Sequence, residues 1–132
     1  MKYLLDTNIC IYIIKKRPKK VFDQFRKLDV GDVGISAITC GELEFGIANS
    51  QAPDRNRAAL TEFLAPLELL DFQAEAATRY GSIRAHLTKR GRLIGPLDIL
   101  IAAHALYLNM TLVTNNTKEF SRVPDLRLDN WA

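Results

Sequence analysis

The stretch Pro96–Asn115, PLDILIAAHALYLNMTLVTN, decides the fold class. From Pro96 to Asn109 it carries a proline where a helix tolerates one, followed by apolar or small residues at nearly every position. A helix that is apolar on all sides packs in the interior. TLVTN, Thr111 to Asn115, then reads as a short strand without alternation, as expected of a strand covered on both faces. An interior helix feeding such a strand belongs to an α/β fold.

One residue breaks the apolar run. Asp98 lies among Leu97, Ile99, Leu100 and Ile101, and burying an unpaired carboxylate costs on the order of several kcal/mol. Either it exploits the dipole of the first helical turn, or it faces a metal or a substrate. Along its helix it shares a face with Ala102, Ala105 and Asn109. Small residues there allow close approach to the sheet, bringing the carboxylate towards the strand ends.

The same alternation extends outward. Lys2 to Leu5 reads as a strand, followed by a helix from about Asn8 to the cluster KKRPKK (Lys15 to Lys20) and a second from about Pro18 to Leu28. After a turn at Gly31 to Gly34, GISA is a strand and Ile38 to Asn49 a helix. Pro53 to about Leu64 is a further helix, LELLDF (Leu67 to Phe72) a strand, and Ala74 to Arg90 a long helix ending at KRGR. LRLDNW adds a possible fifth strand. Strands alternating with helices predict a three-layer α/β/α sandwich with a central, mostly parallel sheet of four to five strands. With 132 residues, 48% hydrophobic and 25% charged, the composition is that of one soluble domain.

In such sheets ligands bind beyond the carboxyl ends of the strands, and the acids fall there. Asp6 follows the first strand in LLDTN, where it could equally serve as an N-cap. Glu42, in SAITCGELEFG, occupies the early turns of the helix after the second strand. It shares a face with Ile38 and Phe45, which predicts an inward orientation. Glu44 and Glu62 read as solvated acids. Past the fourth strand, VTNNTKEF supplies Thr114, Asn115, Asn116 and Glu119. Carboxylates gathered this closely repel one another unless a cation neutralises them. Oxygen donors without His or Cys select hard cations, Mg²⁺ or Mn²⁺, which can orient a water against a phosphodiester. Cys10 and Cys40 read as buried free thiols of a cytoplasmic protein, and His86 and His104 are too isolated to suggest zinc. The apolar run Ile9 to Ile14 is too short for a membrane span or a signal core.

At these residues the sequence resembles the PIN-domain ribonucleases, specifically the VapC-type toxins of bacterial toxin–antitoxin pairs. LLDTN, ITCGELEFG, GRLIGPLDILIAAHAL and LVTNNTKEFSRVPDLRLDNW match that family in order and spacing, over essentially the whole chain. The resemblance implies a single PIN domain over residues 1–132. It further implies a Mg²⁺-dependent endoribonuclease (Mn²⁺ able to substitute), held inactive by a cognate VapB-type antitoxin and often dimeric. Members commonly cut tRNA in the anticodon loop, in several cases initiator tRNA, leaving 5′-phosphate and 3′-hydroxyl ends. Carried over by position, the catalytic and metal-binding acids are Asp6, Glu42 and Asp98. Many relatives have an aspartate where this chain has Asn116, whose amide ligates without adding charge, so Glu119 is the candidate substitute. Thr7, Asn8 and Thr114 are candidates for orienting the carboxylates.

The net charge of +3 and pI of about 9.0 are compatible with a polyanionic partner. Lys15, Lys16 and Arg17, and Lys89, Arg90 and Arg92 beside GPLD, are candidate phosphate contacts, or simply solvated helix ends. Ile9, Ile11, Tyr12, Ile13, Phe22, Phe25, Phe45 and Phe63 offer apolar surface to an antitoxin, although most such residues are core. Three other readings compete. A haloacid-dehalogenase-like phosphotransferase would want an acid where Asn8 stands. A receiver domain would use Asp71 as its acceptor but lacks the acid pair. A non-catalytic RNA- or partner-binding module would have lost chemistry at Asn116.

Overall fold

Leu4 and Leu5 are adjacent, fully buried, and part of two different hydrophobic cores. Successive side chains of a strand point to opposite faces, so both faces of this strand are covered. The computed structural model describes residues 1–132. Strands β1 (Tyr3–Leu5), β2 (Val33–Ser36), β3 (Glu68–Leu70), β4 (Thr111–Val113) and β5 (Leu128–Asp129) form one sheet in the order β3-β2-β1-β4-β5. Every neighbouring pair is parallel. Parallel pairing requires crossovers, and the helices supply them: α1 (Thr7–Lys15), α2 (Lys19–Arg26), α3 (Ala37–Ala48), α4 (Pro53–Leu64), α5 (Ala74–Lys89), α6 (Pro96–Leu108) and α7 (Thr117–Phe120).

The layers follow from strand alternation. Leu4 and Leu112 face a core built with Ile83 and Leu87 of α5, Ile99 to Ala105 of α6 and Phe120 of α7. Leu5, Val33, Ile35 and Val113 face the other core, with Ile9 and Ile13 of α1, Val21 of α2, Leu43 and Ile47 of α3, and Leu60 of α4. The expected three-layer α/β/α sandwich is therefore observed, and its sheet is parallel throughout. From β1 the chain winds out to β2 and β3, then returns through α5 and α6 to place β4 on the other side of β1. The winding reverses between β1 and β4, which is where an open α/β sheet leaves a crevice at its carboxyl edge.

Most predicted elements lie within a few residues of their observed limits. β3 stops at Leu70, and Glu68 and Leu69 are exposed because it is an edge strand. β4 ends at Val113 instead of Asn115. The Gly31–Gly34 turn is a 3-10 turn over Val30–Asp32, and Gly34 is inside β2. Helix α7 falls where only a loop was expected; it is short, and its one buried residue is Phe120. Cys10 is buried, whereas Cys40 is only half-buried; both are free thiols. No helix is long and apolar enough to cross a membrane.

Gly34 shows how tightly the sheet is covered. A Cβ there would lie 2.6 Å from Leu70 Cδ1, 2.7 Å from Met1 Sδ and 3.3 Å from Met110 Cε. All three are ends of flexible side chains, so a methyl group forces rotamer changes while the backbone stays put. Gly34→Val should cost about 1–3 kcal/mol in urea unfolding, the range for overpacking, and Gly34→Ala distinctly less.

Candidate active site

Asp6 stands at the carboxyl edge of the sheet where the winding reverses. It follows β1 directly, with its amide donating to the Val113 carbonyl of β4 at 2.9 Å. Its side chain caps α1 by accepting the Thr7 amide on Oδ1 at 2.8 Å, so the N-cap role is real. Oδ2 accepts the Thr114 hydroxyl, also at 2.8 Å, in a fully buried bond between the ends of β1 and β4. Burial raises the Asp6 pKa above the ordinary value, opposed by the bonds from Thr114 and Thr7.

The polar chain continues in both directions. On one side the Thr7 hydroxyl reaches Glu42 Oε1 at 3.5 Å. On the other, Thr114 Oγ1 accepts the Asn116 amide at 3.0 Å, and Asn116 Nδ2 donates to Glu119 Oε2 at 3.2 Å. Helix α7 positions Glu119: its buried Phe120 donates its amide to the Asn116 carbonyl. Thr7 and Thr114 thus each donate to an acid, while Asn8 is exposed and makes no side-chain hydrogen bond.

Asp98 differs from the other three. Gly95 caps α6 without a side-chain bond, and the Asp98 carboxylate accepts no hydrogen bond from the protein. Its pKa is raised to about 6, first by burial and then by the charges of Asp6, Glu119 and Glu42. Asp98 therefore lies within electrostatic reach of the other three acids. Glu42 is raised as well, by burial and then by Asp6, with the Thr7 bond opposing. No Lys or Arg pairs with any of them; the protein's one ion pair, Arg57–Glu44, lies on the surface. No three acid, His or Cys side chains stand close enough to form a ready-made metal cage.

The inward orientation expected of Glu42 needs a different reason. The buried face of α3 is Thr39, Leu43 and Ile47, and Phe45 is 68% exposed. Glu42 sits on the flank of that face, which suits an acid lining a crevice. Ala102 and Ala105 of the predicted Asp98 face are fully buried, but Asn109 is an exposed left-handed C-cap outside the helix. Lys15, Lys16, Arg17, Lys89, Arg90 and Arg92 are all exposed, and none bonds to an acid of the site. Lys15 lines a groove of about 290 Å³ with Glu42, Ile11, Ile14, Gly46 and Leu60. Asp71, the acceptor a receiver domain would need, follows the edge strand β3, away from the β1–β4 crevice.

The acids make the fold sensitive to pH. A carboxyl whose folded pKa, about 6, exceeds its ordinary value of 3.8 is stabilising only while protonated, so stability falls as pH rises from about 4 through 6. In metal-free buffer Asp98→Asn should therefore stabilise the protein at pH 7.5, by about 1 kcal/mol after solvent screening at a half-exposed group. Urea unfolding should show this advantage shrinking below pH 5.

Comparison with known proteins fits this geometry. Residues 3–126 match the PIN domain family. The chain is 47% identical over 132 residues to Ribonuclease VapC2 of Haemophilus influenzae, covering 100% of this chain and 99% of the relative. It is 46% identical over 132 residues to the tRNA(fMet)-specific endonuclease VapC of Shigella flexneri, with the same coverage. Among solved structures, VapBC of Salmonella typhimurium bound to DNA superposes with a TM-score of 0.94 at 42% identity, covering 100% of this chain and 99% of the other. VapBC2 of Rickettsia felis, bound to a DNA fragment from its promoter, gives 0.92 at 42% identity with full coverage of both chains. Sequence and fold agree over the whole length, and the chain belongs to the PIN-domain family, within its VapC ribonuclease group.

Proposed function

We propose that this protein is a divalent-metal-dependent endoribonuclease, the toxin of a type II toxin–antitoxin pair, acting in the cytoplasm. The observation that carries the reading is the hydrogen-bonded chain that links Glu42, Asp6 and Glu119 beyond the ends of β1 and β4, with Asp98 in electrostatic reach and no Lys or Arg paired to any of them. Asp98 is raised by burial and by the charges of Asp6, Glu119 and Glu42, and Glu42 by burial and by Asp6, so these uncompensated charges cost stability that a bound cation restores. The donors are all hard oxygens, which fits Mg²⁺ or Mn²⁺. Their spacing, too open for a closed cage, also fits, because Mg²⁺ typically takes one or two carboxylates and completes its shell with water and substrate phosphate.

In this reading Asp6 and Asp98 hold the ion, and Glu42 helps hold it or positions the attacking water. Glu119 supplies the fourth charge, and Asn116 orients it through Nδ2. The ion supplies Lewis-acid stabilisation of the scissile phosphate and of charge on the leaving oxygen. Thr114 and Thr7 fix the rotamer of Asp6, whose two oxygens would otherwise be free to turn. Water attack gives 5′-phosphate and 3′-hydroxyl ends, with no covalent intermediate on the protein.

The substrate is tRNA cut in the anticodon loop, with initiator tRNA favoured by the specificity named for the Shigella relative. Exposed Lys15, Lys16, Arg17, Lys89, Arg90 and Arg92 neutralise its phosphates. The partner is a VapB-type antitoxin, supported by the VapBC assemblies of the structural relatives. Its docking surface is the apolar groove between α1, α3 and α4, which opens beside Glu42. The toxin is a homodimer that joins its antitoxin in a larger hetero-oligomer, following the ordinary preference for twofold assembly.

Purified chain incubated with tRNA and Mg²⁺ or Mn²⁺ should yield discrete fragments that disappear with chelator. Asp98→Asn, with its fold verified, should cut at least about 100-fold more slowly. Equal cutting by both proteins would reject the assignment of Asp98. Mn²⁺ should raise the thermal midpoint of the wild type and leave that of Asp98→Asn nearly unchanged.

A further inference from the structure

The apolar run of α6 from Ile99 to Leu106 contains one polar residue, His104, and it is fully buried. Its Nδ1 lies 2.8 Å from Ser36 Oγ. Ser36 ends β2 and caps α3, accepting the Ile38 amide on the same Oγ at 3.1 Å. The Ser36 hydroxyl keeps a second lone pair and its own proton, so the contact is a hydrogen bond in either tautomer of the neutral ring. Burial holds the His104 pKa below the usual histidine value, so the ring is neutral. Phe72, in the segment after β3, packs edge-on against the imidazole, with centroids 5.2 Å apart. The Asp71 main chain lies beside the ring and opposes the effect of burial as a hydrogen-bonding group.

A buried imidazole is a costly way to fill a core, because both of its nitrogens must be desolvated. What it adds is a directional tie. Ser36 begins the helix carrying Glu42, six residues along; His104 lies in the helix carrying Asp98, six residues back. At 1.5 Å per residue, each acid is about 9 Å along its helix from the contact. Over that lever, a tilt of about 7° moves a carboxylate by about 1 Å, enough to matter in a preorganised site.

We infer that the buried Ser36–His104 hydrogen bond is a positioning contact for the acid crevice: it fixes the Glu42 helix against the Asp98 helix and thereby sets the affinity for a divalent cation. The inference rests on the ribonuclease reading above. Neither residue touches the ion or the RNA; both act through the separation of the two acids.

The test uses the full chain and Mn²⁺ alone, with free Mn²⁺ followed by electron paramagnetic resonance, beside thermal midpoints and the Mn²⁺ dependence of tRNA cleavage. His104→Leu removes the contact while keeping bulk. Ser36→Gly removes the hydroxyl at small capping cost, since glycine is an acceptable N-cap. His104→Asn keeps a polar group near the Nδ1 position. We expect His104→Leu and Ser36→Gly to need about tenfold more Mn²⁺ for half-saturation and for half-maximal cleavage, with His104→Asn restoring most of the loss. If the folded variants are less heat-stable yet take up Mn²⁺ at the wild-type midpoint, the contact is merely structural and the inference fails. Should His104→Leu not fold, Ser36→Gly decides the matter alone. A wild type that binds no Mn²⁺ would instead reject the metal-dependent reading itself, and the inference with it.

Discussion

The buried bond from Thr114 to Asp6 is the contact around which the crevice is organised. It joins the carboxyl ends of β1 and β4, the two strands between which the winding reverses. Without it Asp6 would be a carboxylate facing a sheet edge with a single amide partner. With it, both oxygens are engaged and the side chain has one orientation. Thr7 and Asn116 then continue the same chain of hydrogen bonds to Glu42 and Glu119, so the polar groups of four different elements are registered against one anchor.

Asp98 stands outside that network, and the contrast is informative. Asp6, Glu42 and Glu119 each have a hydrogen-bond donor of their own, whereas Asp98 is met only by burial and by negative charge. The stability lost there is the electrostatic cost of a half-buried acid among like charges. The two cores on either side of the sheet hold that cost in place. α6 is buried from Ile101 to Ala105, so the backbone presenting Asp98 does not relax away from the repulsion.

The sequence carried the acids and their order along the chain legibly, because each follows a strand or opens a helix whose apolar pattern is strong. Asp6 after LL, Glu42 in the helix after GIS, and Asp98 near the start of an apolar helix were each readable from neighbours alone. Glu119 was harder to place. Its helix, α7, is four residues long and carries no periodic signal, so its geometry depends on Phe120 reaching a core assembled from distant segments. The Phe45 face misled for a related reason. Helical spacing groups Ile38, Glu42 and Phe45, but which face is buried depends on the sheet beneath, and the sheet takes Thr39, Leu43 and Ile47.

Local physics therefore determined the elements, their parallel pairing and the placement of acids beyond strand ends. Those features depend on periodicity, proline and glycine placement, and the handed crossover of βαβ units, all of which are short-range. Tertiary structure alone decided the strand order, the edge position of β3 and the crevice between β1 and β4. It also decided the pairings Thr114–Asp6 and His104–Ser36, whose partners are 108 and 68 residues apart. No window of sequence contains both members of such a pair. Their meeting follows from which helices cover which face of the sheet, and that is fixed only when both cores close together.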